Sequence, residues 1–85
     1  MRVDEAAAQV VRERGARAVW YGNPDLLHDI ADRAGIAHSH PLNTISTVLS
    51  QVARSPLFAR AGRIEHMGRR YPVYELREGA PDAGR

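Results

Sequence analysis

The sequence predicts an α+β domain in which three amphipathic helices and a C-terminal β-hairpin share one core. Three observations carry this. Apolar residues recur at helical spacing in three stretches, near 3–14, 24–34 and 44–54. After Ser55-Pro56 the pattern loosens into alternation, is broken at Gly68, and resumes in Tyr71-Pro72-Val73-Tyr74. The chain has 85 residues, 44% of them apolar, which is enough for one modest core and not for two.

The first helix is expected over Val3–Arg14. Val3, Ala7, Val10 and Val11 share a face, Asp4 and Glu5 suit its positive end, Arg12 and Arg14 its negative end, and Gly15 its C-cap. Ala18-Val19-Trp20-Tyr21 is too short for a helix and rich in strand formers, so it reads as a short strand ending at Gly22, with Trp20 spent on packing. Asn23-Pro24 starts the second helix as N-cap and first-turn proline. Leu26, Leu27, Ile30, Ala31 and Ala34 form its stripe, and Gly35 ends it.

Residues 36–43 read as a connector, because Pro41 is costly inside a helix and Asn43 is a good N-cap. The third helix is then expected over Thr44–Arg54, burying Ile45, Val48, Leu49 and Val52. Thr44, Thr47, Gln51 and Arg54 are placed on the opposite face, with Ser46 and Ser50 at its margin. Ser55-Pro56 stops the helix. Leu57–Met67 is one strand, anchored by Phe58, Ile64 and Met67; Gly68-Arg69-Arg70 is the turn; Tyr71–Leu76 is the return strand, which Pro72 marks as an edge or as beginning there. Residues 1–77 form the domain, and 78–85, rich in Gly, Pro and Ala, read as a disordered tail.

Helix, short strand, helix, helix, hairpin can bury its apolar faces only if the hairpin packs on the helices. That is the winged helix-turn-helix arrangement, with the second and third helices as the pair and the hairpin as the wing. Residues 43–76 also resemble the HARE-type winged helix. The resemblance rests on the Thr/Ser-rich helix Asn43-Thr44-Ile45-Ser46-Thr47-Val48-Leu49-Ser50, on Ser55-Pro56-Leu57-Phe58-Ala59-Arg60-Ala61-Gly62 at the wing, and on Tyr74-Glu75-Leu76 at its end. The sequence departs from that pattern in its longer wing, Ile64–Arg70, and in Trp20-Tyr21. The resemblance implies the fold and an association with DNA.

The charge distribution points the same way. Residues 54–77 carry six arginines against Glu65 and Glu75, whereas residues 1–53 carry five arginines against six acidic side chains. A basic stretch on a near-neutral body is the footprint of a polyanion binder. Ser and Thr can bond phosphates, Gln can pair with adenine, and Arg with guanine or phosphate. Thr44, Ser46, Thr47, Ser50, Gln51 and Arg54 are therefore candidate contacts on the third helix, and Arg60, Arg63, Arg69 and Arg70 on the wing. Every one of the twelve basic residues is Arg, which with the Ala and Gly content fits a GC-rich genome as well as phosphate recognition.

Other classes find little support. There is no cysteine, so thiolate metal sites, disulfides and cysteine nucleophiles are excluded. His28, His38 and His40 lack a His-x-x-x-His pair, and no metal or cofactor is expected. No Gly-rich phosphate loop or catalytic triad can be placed, so no enzymatic role and no small-molecule substrate are expected. No apolar run spans a bilayer, and no apolar leader follows Met1, which predicts a cytoplasmic, nucleoid-associated protein with no membrane partner.

The expected partner is double-stranded DNA, in transcription regulation or low-specificity coating of a phage or bacterial chromosome. A homodimer is possible through the Ala face of the first helix or through Trp20-Tyr21. The competing expectation is an adaptor or inhibitor that docks on a protein through Asp25, Asp29 and Asp32.

Overall fold

The computed structural model describes residues 1–36 and 40–77. Its elements are α1 (Val3–Arg14), α2 (Pro24–Arg33), α3 (Pro41–Ala53), β1 (Phe58–His66) and β2 (Arg69–Leu76). Three helices followed by an antiparallel hairpin give the α+β, winged-helix layout that the sequence predicts. The expected tail, residues 78–85, and His38 lie outside the described residues.

The core is assembled from one face of each helix. Ala6, Ala7, Val10 and Val11 of α1 meet Leu26, Leu27, Ile30 and Ala31 of α2 and Ile45, Val48 and Val52 of α3. Val19 and Phe58 close it from the hairpin side. Three consecutive alanines of α1 are fully buried, and their small side chains let the other helices approach closely. Gly15 (φ 61) ends α1 in the left-handed conformation, its N–H and that of Ala16 capping the carbonyls of Arg12 and Val11.

Four expectations are corrected. The third helix begins at Pro41, not Thr44. Pro41 occupies the first turn, where its missing N–H has no helical partner to lose and its fixed φ is already helical. His40 is the N-cap, its Nδ1 accepting from the Leu42 N–H at 3.2 Å, so Asn43 lies within the helix. The short strand 18–21 reduces to a single bridge, in which Val19 and Tyr74 exchange both backbone hydrogen bonds, at 2.8 and 3.0 Å. The hairpin turn is Met67-Gly68, so Arg69 and Arg70 stand in β2, opposite His66 and Glu65. Both turn residues have positive φ, 50° and 80°, as a two-residue type I′ turn requires. Ile64 and Met67, expected as anchors, are exposed instead.

Pro72 sits inside β2 at no cost to the ladder. Tyr74, two residues on, directs its N–H and C=O away from β1 and toward Val19. Pro72 has the same alternation, so the N–H it lacks would also face away from β1. The register slips between Arg60 and Arg63 of β1, beside Gly62 (φ 106), a bulge that adds twist to the ribbon.

One buried polar junction ties the N-terminus of α1 to the α3–β1 corner. The Asp4 carboxylate is buried, receives Ser55 Oγ at 2.7 Å and the Glu5 N–H at 2.9 Å, and is gripped by Arg2 at 2.8 and 3.1 Å. Ser55 Oγ in turn accepts the Leu57 N–H at 3.0 Å. Ser55 therefore does more than stop α3: it carries the chain into the wing. The Arg2 hydrogen bond leads the effects that hold the Asp4 pKa below the ordinary carboxylate value, against the opposing effect of burial. A depressed folded pKa means that this stabilisation is complete above the unfolded value, about 4, and is lost as pH falls through the folded one. Asp4→Asn is expected to cost about 1–3 kcal/mol at neutral pH. It is also expected to flatten the stability loss below about pH 4, as read by denaturant melts at several pH values.

Candidate nucleic-acid interface

The α3 positions separate into three groups. Ser46, Ser50, Gln51 and Arg54 are exposed. Thr47 is half-buried. Thr44 is buried, only 4% exposed, with its hydroxyl toward the His40 carbonyl, and is withdrawn as a surface contact. The buried stripe Thr44, Ile45, Val48 and Val52 fixes the helix rotation. At 100° per residue the centre of the outer face then falls on Asn43, Ser46 and Ser50, and Gln51 moves to its flank. The two serines expected at the margin are thus central, and Asn43 joins them. Asn43 was missed because it was read as a cap; proline at a first helical position was the signal for an earlier start.

Arg54 lies back along the helix. Its guanidinium donates to Ser50 Oγ at 2.9 Å and its Nε to the Ser50 carbonyl at 3.3 Å. Two of its five N–H donors are used, and the rest are open to a phosphate or a base. The first turn of α3 contains no acidic residue, whereas α1 has Asp4 and Glu5 there and α2 has Asp25. Its positive helix end is therefore uncompensated by a local carboxylate.

The wing arginines divide by strand alternation. The register pairs Arg60 with Tyr74, Arg63 with Pro72 and Glu65 with Arg70, all on one face of the ribbon. His66 and Arg69 are paired on the other face, with Ile64 and Tyr71. Arg60, Arg63 and Arg70 thus share a face and Arg69 does not. Every residue from 60 to 70 is exposed. None of these four arginines forms an ion pair among the described residues, while Arg2, Arg14 and Arg33 are all paired with carboxylates.

An aromatic brace, not anticipated as a unit, steadies the ribbon. Tyr21 stacks on Tyr71 with ring centroids 4.6 Å apart and planes within 4°. Trp20 meets His66 edge-on at 5.7 Å and lies 6.5 Å from Tyr71. The indole also covers Gly22, where any Cβ would collide with it. The Val19–Tyr74 bridge sets these rings alongside β2. The rings belong to residues some fifty positions apart, so no local pattern announces the contact.

The acidic face of α2 is partly committed within the fold. Asp29 receives Arg14 at 2.9 Å and Arg33 at 3.2 Å, and Arg33 also grips Glu13 at 2.6 and 2.8 Å. Desolvation raises the Asp29 pKa, but the two guanidinium groups outweigh it and hold the carboxyl below its ordinary value. The cluster fastens α1 to α2. Asp25 and Asp32 are exposed.

No group of three His, Asp or Glu side chains converges among the described residues in a way that would hold a metal. No helix among them is long and apolar enough to cross a membrane. Comparison with protein-family models, with curated proteins and with solved structures finds no match.

Proposed function

We propose that this protein binds double-stranded DNA through a winged-helix mode. In this mode the outer face of α3 enters the major groove and the arginine ribbon lies on the phosphate backbone. The observation that carries the reading is the ribbon itself: Arg60, Arg63 and Arg70 on one exposed face, with no carboxylate holding them among the described residues. Arg2, Arg14 and Arg33 are each held by carboxylates, whereas these three cations stand together without an ion pair among the described residues and are available to an external polyanion.

The helix adds positioning more than base reading. Asn43, Ser46 and Ser50 are short, which lets the helix approach closely, and Gln51 and Arg54 are the side chains long enough to reach base edges. A face with one cation and several small polar groups fits a binder whose affinity comes mainly from phosphates. A chromosome-coating or regulatory role would suit that chemistry. A homodimer would double the phosphate contacts.

The test is fluorescence anisotropy with a duplex of random sequence across a salt series. Binding whose log affinity falls by about 0.9 per contacted phosphate for each decade of salt supports the reading. A protein partner on α2 would instead leave duplex binding absent. It would make capture sensitive to Asp25→Arg or Asp32→Arg, which spare the Asp29 ion pairs.

A further inference from the structure

The tip of the ribbon carries an apolar side chain where turn chemistry calls for a polar one. Met67 is 90% exposed, the most exposed of the large hydrophobic residues described. It occupies the first position of the type I′ turn at φ 50, the only non-glycine residue with positive φ among those described. Asn, Asp or Gly is the usual occupant there, because an ordinary side chain is strained in that conformation. Packing does not explain the methionine, since it touches almost nothing. Its immediate surroundings are net positive: Arg69 and Arg70 follow within three residues on opposite faces of the strand, and Glu65 stands across from Arg70.

We propose that Met67 is a wedge that inserts between base pairs from the minor groove and kinks the bound duplex. The proposal rests on the DNA reading above and specifies how the ribbon engages. Methionine is long, unbranched and polarizable, suited to sliding between two base faces. Arg69 and Arg70 are placed to meet the phosphates on either side of the opened step. Two strands stand about 5 Å apart before their side chains are counted, and an undistorted minor groove is only about 6 Å wide. The ribbon tip therefore fits only if the groove opens, and a kink toward the major groove opens it. Inserting a wedge also needs a stiff support. The stacking of Tyr21 on Tyr71 and of Trp20 against His66 braces the ribbon up to the residue before the turn.

A wedge favours steps that unstack easily, so the preferred sites contain TA or CA steps and stiff A-tracts are disfavoured. The experiment uses the full chain and an end-labelled duplex of about 30 base pairs with a central TA step, reading both affinity and end-to-end energy transfer. Met67→Asn removes the wedge while supplying a residue that I′ turns favour, so the hairpin is retained; circular dichroism and a thermal melt confirm this. Met67→Leu keeps an apolar wedge.

The expected result is that wild type and Met67→Leu shorten the end-to-end distance. Met67→Asn binds about 3- to 10-fold more weakly and loses most of the bend. Bending by Met67→Asn equal to wild type overturns the wedge, as does wild-type binding without bending. An absence of any duplex binding by the wild type overturns the DNA reading itself, and the wedge with it.

Discussion

Replacing Arg60, Arg63 and Arg70 together with glutamine is expected to weaken binding to duplex DNA by about two orders of magnitude near physiological salt. The estimate comes from counterion release. Each neutralised phosphate contributes about 0.9 to the slope of log affinity against log salt, which is worth about fivefold at ~0.15 M. Three contacts then give about a hundredfold, and the slope becomes shallower by about 3. The three side chains share one exposed face of the ribbon and hold nothing else in place. The triple variant is therefore expected to melt within a few degrees of wild type. Arg69→Gln, on the opposite face, is expected to cost no more than one contact, about fivefold. A triple variant that binds as tightly as wild type, with the same salt slope, would remove the ribbon from the interface.

The second large effect is on stability. Leu26, Leu27 and Ile30 of α2 are fully buried against α1 and α3. Leu27→Ala leaves a cavity at the meeting point of the helices and is expected to cost about 2–5 kcal/mol. A domain of this length holds only about 4–13 kcal/mol in all. The thermal midpoint is therefore expected to drop by at least about 10 °C. A drop of one or two degrees would contradict the packing described here. Because α3 rests on α2, the same variant is expected to lose DNA affinity on warming before any contact residue is touched.

The helices were legible because burial demands periodicity. Leu26, Leu27, Ile30 and Ala31 announce their face at helical spacing, and the structure buries all four. The hairpin was legible from the change of pattern after Pro56. What the sequence concealed depends on position more than composition. Proline is costly within a helix and favourable at its first turn, and the second reading of Pro41 was the one signal in residues 36–43 for the earlier start. Starting α3 at Pro41 left its body on the same residues but brought Asn43 onto the outer face. Thr44 was misplaced for a related reason: a hydroxyl reads as surface, yet the residue is buried on the inner face of α3 and its oxygen reaches the His40 carbonyl.

At the wing, Gly68-Arg69-Arg70 looked like a turn because Gly marks turns and arginines favour solvent. The register shows that Gly is the second turn residue and Met67 the first. That shift of the turn puts both arginines in β2, sorts them by face, and so decides which can act together. The aromatic brace and the Asp4–Ser55 junction join residues far apart in sequence, and only the folded chain brings them into contact.

The central claim is that an exposed, unpaired arginine ribbon beside α3 binds duplex DNA through its phosphates. The most direct measurement is the anisotropy titration of the intact protein with a random duplex at several salt concentrations. The account predicts binding at low salt with a negative log–log slope of about 3 to 6, one unit for each engaged cation. A folded protein that shows no binding at low salt, or binding indifferent to salt, would contradict it.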